Sequence, residues 1–557
     1  MAQIGTKQRE FDVCVVGTGA GGGVMIDQLT AAGLEVVALE RGRELSDEDL
    51  FNRDELQCVV RDSLYSPHQL ETYRREVGAP VETGRISELA HCVGGTFLTW
   101  AGVAWRFRPD DFRVLSTDGP LAGANLADWP VSYEEMVPFY EIAERDFGVA
   151  GGSGGPRPGV PGRSLPLPAH PQRVSSQRFV DGARKLGYRP FPVPIAVNSR
   201  RYEGRLGCRY RGACRGYGCP IAARASSVSV SLPRALATGR LDLRADAMVF
   251  ELPVNEKGLV TGARYLDAAG NAHEVKARHT IVAGGAIGSP HLLLMSKSAK
   301  FPHGLANGSG LVGRLLQYHV HPTAVGVFDE DMRNYTGMEY HSVLDDLYAS
   351  DPKRGFIRGG AIVEVNTISS QPIAYTAVIS NSLQFGGRWG AGLKERIRAF
   401  PHVMTLTIIG EEMPMDSNTV DLDPDVKDRF GLPVPRITKR NHPNDIAMYN
   451  WFEKKLVEIV EAAGARHAWP GRVPGVHIAP EISMKGSAHV HGTVRMGKDP
   501  AKSVVDATCR SHEVRNLWVV DSSVMPTNGG YNPTLTILAN AYRVAGHLVR
   551  EAGRNAA

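Results

Sequence analysis

The run Gly17-Thr18-Gly19-Ala20-Gly21-Gly22 constrains the fold of this chain more than any other segment. It follows an apolar strand run, Phe11 to Val16, and precedes a helical stretch, Val24 to Ala32. Gly33 and a second strand, Leu34 to Leu39, come next, and that strand ends in Glu40. In a strand–turn–helix unit each glycine of G-x-G-x-x-G has a physical reading. Gly17 permits the tight turn, Gly19 lets the backbone approach a pyrophosphate, and Gly22 lets the helix pack closely on the strand. The helix N-terminus then faces the phosphates, and Glu40 accepts from a ribose hydroxyl. Ala20 and Arg41 flank these positions and are further candidate contacts. The unit predicts a bound dinucleotide in an α/β domain, without separating FAD from NAD.

The rest of the chain narrows that choice. Ala101 to Asp111 and Trp129 to Phe147 do not continue the βαβ alternation of a nicotinamide dehydrogenase. Thr280 to Ala286 reads as a strand entering a small-residue turn, with a helix at Pro290 to Ser296, and could return to the first sheet. It is not a second fingerprint, so one dinucleotide site is expected. Further on, Val403 to Ile409 reads as a strand and Asp445 to Ala463 as a helix, while Gly151 to Pro168 is a Gly/Pro-rich excursion.

A chain of 557 residues has room for more than one domain. Its net charge of +4 comes with no long basic run, so a nucleic-acid partner is not expected. No apolar stretch is long enough for a transmembrane helix, and the short polar Met1 to Glu10 segment does not read as a signal peptide. The seven cysteines are too few for a disulfide scaffold, yet three crowd together at Cys208, Cys214 and Cys219.

Four separated segments together resemble the glucose–methanol–choline oxidoreductase family. They are the N-terminal fingerprint, Val93-Gly94-Gly95-Thr96, Ala283 to Leu294, and His489 to Leu538. Trp100 to Phe107 with Asp111-Phe112, and Trp129-Pro130 with Tyr133, resemble the bacterial sugar dehydrogenase catalytic subunits within it. The resemblance implies a Rossmann-like FAD domain built from residues 1–115, 201–325 and 485–557. It also implies an α+β substrate domain with an antiparallel sheet, from residues 116–200 and 326–484.

Its chemistry would be alcohol oxidation: a hydride passes to flavin N5 while the protein supplies a base for the hydroxyl proton. The H-x-x-G-T string at His489 to Thr493 places that base on His489 by resemblance, and Asn532, in Asn532-Pro533-Thr534, is the second active-site group. Asn532 can donate to the substrate oxygen but cannot take its proton. Asp521, Asn532, Pro533 and Thr534 would lie against the flavin, with Gly94, Gly95, Thr96 and Ala283 as further cofactor contacts. His491 shares a face with His489 on an extended segment and reads as a structural neighbour, since a metal pair would lack a third ligand nearby in sequence. Thr99 stands where some family members carry a histidine tethered to the flavin, so non-covalent FAD is expected; His91 lies before that motif.

Cys208, Cys214 and Cys219 form C-x5-C-x4-C in a glycine- and arginine-rich loop. Similar loops in the related sugar dehydrogenases hold a [3Fe-4S] cluster that passes electrons to a cytochrome, with a last interval commonly one residue shorter. A structural zinc and plain thiols are the alternatives. Two functional readings stay open: a sugar or glycoside dehydrogenase sending electrons to a cytochrome c or other acceptor, and a non-catalytic, flavin-stabilised subunit. Within enzymes the alternative is an oxygen-using oxidase that releases peroxide. A small partner subunit would carry the folded chain to the periplasm or membrane surface; without one it would remain cytoplasmic.

Overall fold

A computed structural model describes residues 10–60, 64–152, 162–212, 214–365, 371–376, 384–471 and 487–555. The core of the Gly/Pro-rich excursion, residues 153–161, lies outside these.

The fingerprint builds one end of a seven-stranded sheet. Four parallel strands run in the order Leu241–Arg244, Val36–Leu39, Glu10–Val16 and Ala272–Val282. The last is long enough for two further partners, Leu517–Val519 in parallel and Gly262–Leu266 antiparallel. The first helix, Ala20–Ala31, is lined with glycine because three neighbours press on it. A Cβ added at Gly21 would lie 1.9 Å from the Val520 carbonyl oxygen, at Gly22 2.0 Å from that of Gly17, and at Gly23 2.5 Å from Ser227 Cβ. The C-terminal helix Thr534–Asn555 packs beside this helix and beside Tyr133–Phe147.

The expected helix at Pro290 begins earlier, at Gly285, and runs to Met295. Proline has no N–H to give the carbonyl four residues back. That carbonyl, Ala286 O, instead accepts from Thr493 Oγ1 at 2.9 Å, so a tertiary hydrogen bond lets the helix continue through the proline.

A second sheet is antiparallel, in the order His467–Pro470, Thr323–Val327, Val403–Glu411, Gly360–Glu364, Ser342–Leu344 and Phe191–Pro192, with His319–Val320 also beside Val403–Glu411. Val403–Glu411 is buried throughout, and its period-2 alternation separates its two faces. Met404, Leu406 and Ile408 pack on Met448, Phe452, Leu456 and Ile459 of the helix Pro443–Ala462. Thr405, Thr407 and Ile409 line a cavity on the other face.

Strand pairing cuts across the expected domain boundaries. Thr323–Val327 straddles the boundary at 325/326 because it needs Val403–Glu411 as its ladder partner. Tyr133–Phe147, placed with the substrate segments, packs its apolar face on the C-terminal helix of the nucleotide domain. A third sheet joins Glu71–Arg74 and Glu82–Gly84 to Pro433–Thr438 and Thr419–Lys427, from opposite sides of the expected division.

Candidate active site

A cavity of about 900 Å³ runs from the fingerprint to the face of the second sheet. Gly17, Gly19, Ala20, Glu40, Arg41, Gly95, Thr96, Thr99, Ala283, Asp521, Asn532, Pro533 and Thr534 all line it, as does His489. Gly22 and Gly94 do not. Gly22 lies under the turn against Gly17, and Gly94 donates its N–H to Thr18 Oγ1 at 2.9 Å.

At one end, Glu40 is buried and accepts from the Thr18 N–H at 3.0 Å and from Thr18 Oγ1 at 2.8 Å. Burial pushes its pKa up, and the Thr18 hydrogen bonds oppose that shift. Thr18 thus ties the acid to the loop that follows it in space, a role the spacing of the motif alone did not reveal. His91 lines this region too, within the field of Arg41 and Arg85. Asp521 caps the far side: its carboxylate accepts from the Gly285 N–H at 2.9 Å, from Ser289 Oγ at 2.6 Å and from the Ser523 N–H at 2.7 Å. An added Cβ at Gly19 meets no atom closer than the Gly94 carbonyl oxygen, 4.0 Å away. Its missing side chain leaves room for a ligand.

The other end of the cavity holds His489. Gln317 and His491 exchange backbone hydrogen bonds of 3.1 and 3.0 Å, an antiparallel bridge. Two residues along in this register, His319 falls opposite His489, with all four side chains on one face. His489 Nδ1 lies 2.9 Å from His319 Nδ1, and His489 Nε2 lies 2.9 Å from Asn532 Nδ2. His321 lines the cavity beside them, with its Nδ1 2.9 Å from the Ile408 carbonyl oxygen. His491 is buried, its ring 5.1 Å from that of His319. Burial pushes the His489 pKa well below the usual histidine range, and the fields of His319, His321, His491 and Arg215 push the same way. The ring is therefore neutral at physiological pH, the state a proton acceptor requires. His319 and His321 were not singled out from the sequence. The available signal was a second H-x-H string, His319 and His321, matching His489 and His491.

Asn532 is set by the turn that carries it. The Gly530 N–H donates to Tyr348 Oη at 2.7 Å, and Tyr531 Oη donates to Asp345 at 2.6 Å. Tyr348 in turn donates to Asp111 at 2.7 Å, and Asp111 is paired with the buried Arg358, which also holds Glu411 at 2.6 Å. Asn532 Oδ1 is buried and finds no hydrogen-bond partner among the described residues. Of the aromatics, Trp100 lines the cavity and donates Nε1–H to the Ala225 carbonyl at 2.7 Å, whereas Trp105 and Tyr531 pack on each other in the core, 4.7 Å apart.

The cysteine loop touches the same cavity. Arg215 and Gly216 line it, and the Gly216 N–H donates to the Thr99 carbonyl at 2.9 Å. Arg224, buried, donates to the Leu98 carbonyl at 2.7 Å and lies 3.4 Å from Cys214 Sγ. The Cys208 thiol is pushed up to about 11 by burial, with Cys214 and Cys219 adding to the shift. Among the described residues, the one group of three donors close enough to share a single ion is His319, His321 and His489, not the cysteines. The three sulfurs are not all gathered within single-ion distance of one another.

Two family profiles, both described as GMC oxidoreductase, match residues 131–321 and 414–541. The chain belongs to the GMC oxidoreductase family. It is 33% identical to 6'''-hydroxyparomomycin C oxidase of Streptomyces lividus, over 98% of this chain and 93% of that one. It is 32% identical to 2-methyl-1,2-propanediol dehydrogenase of Mycolicibacterium austroafricanum, over 98% and 96%. Among solved structures, pyridoxine 4-oxidase from Mesorbium loti superposes with a TM-score of 0.64, covering 97% of this chain and 99% of that one at 19% identity, which shows the shared fold. Like its family, this GMC protein is an FAD-dependent oxidoreductase acting on sugar or alcohol hydroxyl groups. The glycine cradle, Glu40 and Asp521 supply groups that suit FAD. Among the described residues no helix is long and apolar enough to cross a membrane.

Proposed function

We propose that this GMC protein oxidises a hydroxyl of a sugar or glycoside, with His489 as the base and electrons leaving through the cysteine loop. The observation that carries this reading is the His489–Asn532 pair, 2.9 Å apart on the wall of the cavity that also holds the fingerprint. FAD would be held without a covalent tether by Gly17 to Gly21, Glu40, Arg41, Gly95, Thr96, Ala283, Asp521 and Asn532 to Thr534, and would supply hydride acceptance. His489 takes the hydroxyl proton at Nε2. Asn532 holds the substrate oxygen, and its Oδ1, without a partner among the described residues, offers an acceptor to a neighbouring hydroxyl. Thr405, Thr407 and His321 give the substrate end a mixed polar lining, as a polyhydroxylated molecule requires.

His489→Ala should retain FAD yet lose turnover by about 10²–10⁴, the usual cost of a missing general base. Wild-type activity in that variant would move the base elsewhere.

Cys208, Cys214 and Cys219 would hold a [3Fe-4S] cluster, which supplies one-electron transfer toward a cytochrome c; Arg224 beside Cys214 would offset its charge. Iron and sulfide analysis of anaerobically purified protein tests this. Absence of both, with unchanged dye reduction in Cys214→Ser, would remove the cluster from the reading. The second reading is an oxygen-using oxidase, favoured by the name of the Streptomyces lividus relative. Peroxide release in air at the rate of dye reduction would establish it. A small subunit delivering the chain to the periplasm belongs to the dehydrogenase reading, and its co-purification from the native source is the test.

A further inference from the structure

His319 is 2% exposed, and the cavity's lining residues do not include it. Its position is set by backbone pairing, since His319–Val320 pairs antiparallel with the buried strand Val403–Glu411, His319 opposite Glu411. Its Nε2 lies 2.9 Å from the Gly529 carbonyl oxygen and 3.3 Å from that of Asn528. A carbonyl oxygen can only accept, so the nitrogen facing the pair carries the hydrogen. Burial lowers the His319 pKa to about 4, so the ring is neutral at neutral pH and holds that single proton. Its Nδ1 is then a bare lone pair.

The rest follows by elimination along the chain of contacts. His319 Nδ1 and His489 Nδ1 are 2.9 Å apart, and one hydrogen must lie between them. His319 has none to give there, so His489 carries it on Nδ1. The neutral His489 ring then has no hydrogen on Nε2, the atom facing Asn532 Nδ2 at 2.9 Å. Asn532 Nδ2 can only donate, which agrees with a lone pair at that position.

From these contacts we infer that His319 is a positioning residue that locks His489 into the tautomer whose Nε2 is the base. This rests on the reading of His489 as the base. The main-chain carbonyls of Asn528 and Gly529 orient His319, His319 orients His489, and the same turn returns three residues later as Asn532. One turn thus anchors both ends of the relay. The relay is uncharged: when His489 takes a proton at Nε2, its Nδ1–H keeps the same acceptor. A neutral imidazole stabilises the resulting cation less than a carboxylate would. The ionisable groups that face His489 are His319, His321, His491 and Arg215, and each disfavours its protonation. His489 therefore stays available as a base in mildly acidic solution.

The test compares two FAD-loaded His319 variants and adds histidine spectra of the wild-type protein. In His319→Leu the acceptor is lost, and kcat/KM should fall about 10²-fold with FAD content retained, as expected when a general base is misoriented. In His319→Asn the side-chain oxygen takes the place of Nδ1 and can accept from His489, so at least a tenfold part of that loss should return. The acid limb of the kcat/KM–pH profile should shift in the leucine variant and stay near its wild-type position in the asparagine variant. A purely structural role would predict no such rescue. In ¹⁵N-histidine spectra of the wild-type protein, with and without FAD, His489 should be protonated at Nδ1 and bare at Nε2.

An Nε2–H tautomer of His489, or wild-type kcat/KM and pH profile in His319→Leu, would overturn the proposal. So would one zinc or iron per chain that is lost in His319→Leu, because a metal on His489 Nδ1 would replace the proton invoked here. His489→Ala separates the two readings. Activity surviving that change removes the base assignment itself, whereas its loss alongside an unaffected His319→Leu removes only the positioning role.

Discussion

Gly19 and Gly21 both belong to the fingerprint, and their neighbours predict opposite outcomes for the same substitution. Gly19 has φ −66°, an ordinary backbone conformation, and a Cβ there would meet no protein atom closer than 4.0 Å. Gly19→Ala should therefore leave the apoprotein's stability within about 0.5 kcal/mol of wild type, as for a substitution that disturbs no packing. The new methyl would occupy the space reserved for the pyrophosphate, so FAD affinity should fall at least about tenfold, about 1.4 kcal/mol. At Gly21 the Cβ would lie 1.9 Å from the Val520 carbonyl oxygen, with the Val520 carbonyl carbon at 3.0 Å. Relief requires the helix Ala20–Ala31 and the end of strand Leu517–Val519 to separate by more than an ångström, roughly. Overpacking of rigid backbone on backbone costs about 3 kcal/mol or more. The assay is urea unfolding of both apoproteins by circular dichroism, with FAD titration followed by flavin fluorescence. Equal destabilisation of the two apoproteins would refute the reasoning, as would normal FAD binding by Gly19→Ala.

Other perturbations have equally definite expectations. Arg358→Met leaves Asp111 and Glu411 buried without their cation, and should cost about 3–5 kcal/mol in urea unfolding; it should also lower kcat, because Tyr348 and the turn carrying Asn532 rest on Asp111. With His489 depressed by burial, kcat/KM should rise with pH through a value below 6.5 and stay flat from there to pH 8, measured with a slow substrate. His319, at about 4 in the folded state, is protonated in the unfolded chain first as pH falls. Its contribution to stability is therefore complete above about pH 6.5 and is lost toward pH 4. By pH 5 it should amount to about 2 kcal/mol of lost stability, seen as a narrowing gap between wild-type and His319→Asn apoproteins in urea from pH 7.5 to 5.

Much of the nucleotide end was legible because its requirements are local. The strand, turn and helix from Glu10 to Ala31 are contiguous, and the positive φ of Gly17, +100°, can be inferred from glycine alone. Period-2 alternation in Val403–Glu411 and the i, i+4 apolar spacing of Met448, Phe452 and Leu456 likewise announced a strand and a helix. The start of the helix at Gly285 was not legible, because the hydrogen bond that carries it through Pro290 comes from Thr493, 207 residues away. Domain limits are not read locally for a similar reason: a strand such as Thr323–Val327 belongs wherever its ladder partner lies, and the partner is not encoded beside it.

At the active site the division is sharper. His489 and Asn532 could be picked out by their motifs, but a motif says nothing about tautomer. That was decided by His319, 170 residues from His489, through an antiparallel bridge between Gln317 and His491. Sequence by itself determined which short segments bend tightly, carry small residues or alternate in polarity, since those properties follow from steric limits within a few bonds. Tertiary structure alone decided which carbonyl faces His319 Nε2, which amide faces His489 Nε2, and which cation neutralises Asp111. Hydrogen-bond direction depends on the partner at 2.9 Å, and in a folded chain that partner is set by register and packing rather than by neighbouring residues.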